Sequence, residues 1–84
     1  MRQEVNVTID NTMNATQSRM ARAALRWSWA DLATKSGVNR ITISRFEKGD
    51  KVSDKSLDAM QSAMEAAGVQ FSRKGALLVV SVQE

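Results

Sequence analysis

Apolar side chains recur at helical spacing through most of the chain. Four segments that place apolar residues three or four positions apart are predicted as α-helices: residues 17–26, 29–36, 40–48 and 54–67. A residue type that favours the N-cap position precedes each of them, in chain order Thr16, Ser28, Asn39 and Ser53. The pattern therefore predicts a mainly α-helical fold.

The second and third predicted helices are joined by a very short turn. Asp31 stands three residues after Ser28 and completes a capping box at the start of the second helix. Gly37 follows that helix, where a positive φ is commonly needed and glycine adopts it without a steric penalty. Because only Val38 and Asn39 separate Gly37 from the third helix, the two helices must cross at a steep angle.

Three further segments are predicted as strands: residues 4–10, 69–72 and 76–83. Val5, Val7 and Ile9 alternate with polar residues in the first segment, a pattern typical of a half-buried strand. The other two segments flank a turn that contains a glycine, and together they predict a C-terminal β-hairpin. The N-terminal strand is expected to join the same small sheet, either within one subunit or between two.

The last predicted strand is apolar on both of its faces. Residues 76–80 are continuously apolar, so helices of the same chain can cover one face, and a second copy of the protein is the simplest cover for the other. We therefore predict a homodimer whose interface comprises Leu77, Leu78, Val79, Val80 and Val82. A monomeric sheet packed on the fourth helix is the alternative.

The length and composition limit the classes of protein to which this chain can belong. A chain of 84 residues and 9.3 kDa has room for one domain, spanning residues 1–84. Cysteine and histidine are both absent, which excludes disulfides, thiolate chemistry and the usual zinc sites, so we expect no metal and no cofactor. No apolar run approaches the ~20 residues of a membrane span. We expect a cytoplasmic protein without a membrane partner and without a small-molecule effector.

The acidic residues do not form a catalytic pair. Asp31, Asp54 and Asp58 lie near the starts of predicted helices, where a favourable interaction with the helix dipole explains them. The sequence offers no activated nucleophile and no glycine-rich loop for phosphate. We do not expect an enzyme.

Positive charge is concentrated in the middle of the chain. The net charge is +3, but residues 19–55 contain nine basic and four acidic residues, a net of +5. The remaining residues sum to −2. Such a segment indicates an anion-binding surface, for which nucleic acid is the commonest partner, or else a solvated helical face.

Residues 28–49, SWADLATKSGVNRITISRFEKG, have the internal spacing of a helix-turn-helix. Ala33 is small where the two helices come closest, and Gly37 makes the turn four residues later. Burial of Ile43 and Phe46 would turn the opposite face of the third helix outward, a face that carries Arg40, Ile41, Ser44, Arg45 and Lys48. Arginine pairs with guanine in the DNA major groove and apolar atoms contact the thymine methyl group, so this face is suited to reading bases.

In this segment and the residues around it, the chain resembles the lambda repressor and Cro-like helix-turn-helix regulators, the XRE family. The resemblance covers residues 16–71 and is carried by RMARAALRWSWADLATKSGVNRITISRFEKG followed by SLDAMQSAMEAAGVQF. It implies a compact four-helix DNA-binding domain that works as a dimer on a palindromic, double-stranded operator. It also implies that the third helix reads bases through Arg40, Ile41, Ser44 and Arg45.

The resemblance extends to residues around the recognition helix. It implies that some of these residues contact DNA phosphate, and residues that depart from the family pattern are further candidates for such contacts. The candidate phosphate contacts are Arg26, Ser28, Trp29, Lys35, Asn39, Lys48 and Lys51. Arg22 and Glu47 match positions that form a structural ion pair. Trp29 replaces the family's usual glutamine, so its indole N–H either donates to phosphate or packs within the protein. Arg26 stands where glycine is common, and the loop around Lys51 lacks the frequent proline.

The sequence therefore predicts a DNA-binding transcription regulator, most simply a homodimeric repressor or autorepressor. The alternative is an antitoxin or antiactivator that acts through its strands on a protein partner, with DNA binding secondary.

Overall fold

The structure is a computed structural model that describes residues 12–83. Its elements are, in chain order, α1 Ala15–Leu25, α2 Trp29–Ser36, α3 Arg40–Glu47, α4 Asp54–Ala66, β1 Val69–Lys74 and β2 Leu77–Val82. The predicted fold class, four helices with a C-terminal hairpin, is confirmed. The strand predicted at residues 4–10, together with its place in the sheet, lies outside the described residues.

Each helix begins at a side chain that accepts a hydrogen bond from a backbone N–H of its first turn. Ser28, Asn39 and Ser53 cap α2, α3 and α4 at the predicted positions. The cap of α1 is Asn14 rather than the predicted Thr16, and the helix begins at Ala15. The reason is a reciprocal box with Gln17: Asn14 Oδ1 accepts from the Gln17 N–H at 2.9 Å, and Gln17 Oε1 accepts from the Asn14 N–H at 3.1 Å.

The other element ends differ slightly from the predicted ones. Helix α3 ends at Glu47 and α4 at Ala66, each one residue early, whereas β1 continues to Lys74. Gly37 ends α2 with a φ of 79°, the left-handed conformation expected there. Arg26 ends α1 with a φ of 60° and is, within residues 12–83, the one non-glycine residue with a positive φ.

One hydrophobic core lies where the helices and the hairpin meet. Its largest fully buried apolar side chains are Met13, Leu32, Ile43, Met60, Met64 and Val69. Helix α2 packs on α3 and α4, and α1 packs on α3 and β2. Because Ile43 and Phe46 are both drawn into this core, α3 is fixed with one face inward and the other outward.

The hairpin packs one face on the helical core. Its strands are antiparallel, with Phe71 opposite Val80 and Arg73 opposite Leu78. Val80 and Val82 pack against the core of their own chain, so two of the five side chains predicted for the dimer interface are already covered within one subunit. Side chains alternate between the faces of a strand, so Leu77 and Val79 lie on the outer face. Leu77 is 66% exposed.

No helix within the described range is long and apolar enough to cross a membrane.

Candidate nucleic-acid interface

The outward face of α3 carries the side chains predicted to read bases. Asn39 Oδ1 accepts the backbone N–H of Thr42 at 2.9 Å and fixes the first turn of the helix. Arg40, Ile41 and Arg45 are exposed, and Ser44 is half-buried. Ile41 is 68% exposed, the most exposed of the large hydrophobic side chains in the described part of the chain. This face combines cationic, hydroxyl and apolar groups on a surface that the fold leaves open.

A groove of about 440 Å³ runs between this face and the start of α2. The described residues that line it are Trp29, Arg40, Ile41, Ser44, Arg45 and Lys48. Three of the six are cationic and none is acidic, so the groove favours an anionic ligand. The structure thus brings all four predicted base-reading residues together with Trp29 and Lys48.

The N-terminus of α2 lies at one end of this groove. Ser28 Oγ accepts the backbone N–H of Asp31 at 3.0 Å, and Asp31 Oδ2 accepts the Ser28 N–H at 2.8 Å. In this box the Ser28 hydroxyl acts as an acceptor, so its own proton can still be donated. Because Ser28 is exposed, its hydroxyl is free to donate a hydrogen bond to a phosphate oxygen.

The remaining candidate phosphate contacts are exposed side chains on helix ends and loops: Arg26, Lys35, Asn39, Lys48 and Lys51. Asn39 uses its side-chain oxygen for the cap, which leaves its amide N–H groups as donors. Val52 packs against the core and holds the loop that carries Lys51.

Arg22 and Glu47 form the ion pair that the resemblance implied. Glu47 also contacts Trp29, one of the residues that line the groove. Arg22 Nη2 lies 2.6 Å from Glu47 Oε1, and Arg22 Nε donates to Glu47 Oε2 at 2.9 Å. The Glu47 carboxylate also accepts from Ser18 Oγ at 2.6 Å. Arg22 Nη1 donates to the Trp27 carbonyl at 3.0 Å, so the pair links α1, α3 and the turn before α2.

Trp29 completes this network. Its indole Nε1 donates to Glu47 Oε1 at 3.0 Å, and the Arg22 guanidinium lies 5.8 Å from its ring centroid. The indole N–H is therefore used within the protein, which corrects the predicted phosphate contact through that atom and favours the packing alternative. The ring itself remains 40% exposed on the groove side.

The protonation state of Glu47 follows from these contacts. Burial acts to raise the pKa of its carboxyl group, but hydrogen bonds from Arg22, Ser18 and Trp29 together outweigh burial and hold the pKa below its ordinary value. The hydrogen bond to Glu47 in turn raises the pKa of Arg22, against the effect of burial. The pair is fully charged near neutral pH.

Sequence reasoning missed three partners of Glu47, namely Trp29 and two residues of α1. Ser18 lies one helical turn before Arg22 on α1 and donates to the carboxylate, and Arg19 Nη1 donates to the Glu47 backbone carbonyl at the end of α3. The four-residue spacing of Ser18 and Arg22 was the available signal, since it places both side chains on one side of a helix.

The described residues that line the groove include three cations and no acidic side chain. Residues 12–83 contain no group of three or more acidic side chains that could hold a metal ion. The cationic lining of the groove is unsuited to a cation in any case.

Comparison with known families supports the interpretation of this face. A search of curated proteins finds none that matches the chain. A family model described as helix-turn-helix matches residues 19–72, which is more than half of the chain and includes α2, the turn and α3. The chain therefore belongs to the XRE/lambda repressor-like helix-turn-helix family and is a DNA-binding transcription regulator.

Proposed function

We propose that the protein is a homodimeric repressor that binds a palindromic operator, with α3 of each subunit in the major groove. The observation that carries this proposal is the exposure of Ile41, 68%, on the same helix face as Arg40 and Arg45. Exposure of a large apolar side chain to water stabilises nothing in the free protein. Its position between two arginines is explained if the face contacts base edges.

The two kinds of contact are assigned to different side chains. Arg40 and Arg45 suit the acceptor atoms of guanine, Ser44 can donate or accept, and Ile41 suits the methyl group of thymine. The phosphate contacts come from the surrounding exposed side chains, namely Arg26, Ser28, Lys35, Asn39, Lys48 and Lys51. Phosphate contacts set the register and the salt dependence of binding, and base contacts set the sequence preference.

Dimerisation would double the contact with DNA. The outer face of the hairpin, with Leu77 exposed, is the surface proposed to pair with a second copy. A two-fold dimer of this kind requires a two-fold operator, with half-site centres about 34 Å apart.

The test is a gel-shift titration against the DNA immediately upstream of the protein's own gene, at two salt concentrations and with an unrelated duplex as competitor. Binding that resists the competitor and maps to a near-palindrome supports the repressor. Weak binding that the unrelated duplex removes equally would contradict the proposal, and the search would then turn to a protein bound by the strands.

Replacing Arg45 with alanine tests the base-reading assignment. We expect a loss of about 1–3 kcal/mol in binding free energy and a relaxed preference at one operator position. The matched variant is Lys35→Ala, which should weaken binding to all sequences alike and reduce the salt slope by about one. Equal loss on all sequences for Arg45→Ala would make Arg45 a phosphate contact instead.

A further inference from the structure

The groove beside α3 has an apolar wall that neither arginine nor phosphate recognition requires. Residues 12–83 expose four large hydrophobic side chains, Met20, Trp29, Ile41 and Leu77, and two of the four line this groove. These two, Trp29 and Ile41, come from different helices, α2 and α3. Their convergence on one groove indicates a shared apolar ligand group.

The Trp29 ring is held in place before any ligand arrives. Nε1 is the one polar atom of an indole, and here it donates to Glu47 Oε1 at 3.0 Å. The guanidinium of Arg22 lies 5.8 Å from the ring centroid, within the range of a cation–π contact. Because the N–H is already bonded, the part of the ring that faces the groove offers only carbon atoms.

The rest of the groove restricts what the ligand can be. Arg40, Arg45 and Lys48 also line it, so an apolar group bound there belongs to a molecule with negative charge close by. In the DNA major groove, thymine presents such a group: its 5-methyl projects beside the base edge, and phosphates flank it on both strands. An uncharged apolar ligand would gain nothing from the three cations.

We infer that Trp29 and Ile41 together form the contact for the 5-methyl group of one thymine in each operator half-site. Trp29 is then a residue that determines sequence specificity, although it lies outside the recognition helix. This inference rests on the proposed function, since it needs an operator that the protein binds selectively.

The experiment begins by selecting bound duplexes from a randomised pool with the full-length protein. Each thymine of the selected half-site is then replaced in turn by deoxyuridine, which removes the methyl group and leaves every base-pairing hydrogen bond intact. We expect one position at which the replacement weakens binding about fourfold, the factor that burial of one methyl-sized group contributes. Other positions should change little.

Three variants assign that effect to its side chains. Trp29→Gln keeps an N–H donor for Glu47 but removes the ring, so the ratio of thymine to deoxyuridine affinity should fall towards one. Ile41→Ala should reduce the same ratio. Trp29→Phe keeps an aromatic ring but loses the N–H that holds it, so it should retain more of the ratio than Trp29→Gln does. Because each ratio compares two duplexes on one protein, a loss of stability alone does not move it.

A measurement on the unaltered protein covers the case in which a variant fails to fold. Placing 5-iododeoxyuridine at the sensitive position puts a photoreactive atom where the methyl group was, and irradiation should crosslink it to Trp29, identified by mass spectrometry. If no duplex is selected, both the proposed function and this inference fail. If a duplex is selected but no thymine is sensitive, or if Trp29→Gln keeps the ratio, the inference is overturned while the proposed function stands.

Discussion

Glu47 shows how a single residue can be both buried and charged in so small a protein. It is 4% exposed, yet its carboxylate receives hydrogen bonds from Arg22, Ser18 and Trp29. Burial of an unpaired carboxylate costs free energy because the group loses its hydrogen bonds to water. Here the three donors replace those hydrogen bonds. The charged form is therefore the stable one, and it fixes three elements relative to one another.

Replacing Glu47 with glutamine should lower the free energy of unfolding by about 3 kcal/mol at pH 7. This lies at the low end for a broken buried ion pair, because the side chain of Arg22 keeps 19% of its surface exposed to water. Urea unfolding monitored by circular dichroism measures it. The control is Asp50→Asn, an exposed acid close by in the sequence, which should change stability by less than about 0.5 kcal/mol.

The same pair gives stability a defined pH dependence. The pKa of Glu47 is lowered in the folded state, so its contribution is present above the ordinary value of 4.5 and is lost as the pH falls through the lower folded pKa. The difference between wild type and Glu47→Gln should therefore be constant from pH 7 to pH 5 and shrink on further acidification. A difference that grows below pH 4 would contradict this assignment.

Arg26 lies in the left-handed region, with a φ of 60°, and is also a candidate phosphate contact. Arg26→Gly should raise the unfolding free energy by about 1 kcal/mol, since glycine adopts this conformation without a Cβ penalty. The same change should weaken DNA binding and reduce its salt slope by about one. Arg26→Lys keeps the charge and the strain as a control. An unchanged salt slope in the glycine variant would remove Arg26 from the phosphate contacts.

At the scale of elements, one glutamine ties the hairpin to α1. Gln17 is 1% exposed, and its Nε2 donates to the backbone carbonyls of Ser72 at 2.9 Å and Val79 at 3.1 Å. Its Oε1 completes the capping box of α1. One side chain thus completes the cap at the start of α1 and binds both strands, so the orientation of the hairpin is tied to α1.

Gln17→Leu should lower the unfolding free energy by about 2 kcal/mol, because it removes the donor to both strands and the acceptor for the Asn14 N–H. Gln17→Glu should cost more at pH 7, since a carboxylate would face two carbonyl oxygens. Thermal unfolding of both variants measures the losses, with the exposed Gln70→Leu on β1 as the control. No loss in Gln17→Leu would mean that apolar packing alone holds the hairpin.

At the scale of the whole molecule, the proposed dimer depends on the outer face of the hairpin. Sedimentation at micromolar concentration should give a species of twice the 9.3 kDa chain mass. Leu77→Glu should shift it to the monomer and weaken operator binding while the helical circular dichroism signal is kept. Ser62→Glu adds the same charge at an exposed position of α4 and should leave the dimer intact. A single 9.3 kDa species for the unaltered protein would reject the dimer.

The sequence predicts local features well because they depend on neighbouring residues. The caps Ser28, Asn39 and Ser53 and the turn at Gly37 follow from backbone chemistry within a few positions. The start of α1 was misplaced because a reciprocal box at Asn14 is stronger than a single cap at Thr16.

Contacts between distant elements were harder to predict. The hydrogen bond from Trp29 to Glu47 joins residues that are 18 positions apart in the sequence. The hydrogen bonds from Gln17 to the hairpin join residues that are 55 or more positions apart. No pattern in a single sequence carries such pairings.

The position of Trp29 gives the protein an optical signal of its own. The chain contains two tryptophans and no tyrosine, so excitation at the long-wavelength edge of tryptophan absorption, where phenylalanine does not absorb, gives fluorescence from Trp27 and Trp29 alone. Trp29 lines the groove and is 40% exposed, while Trp27 packs against the core. A ligand that enters the groove changes the solvent around one emitter and leaves the other as an internal reference. Occupancy of the groove can thus be followed by emission wavelength, in solution and without a label.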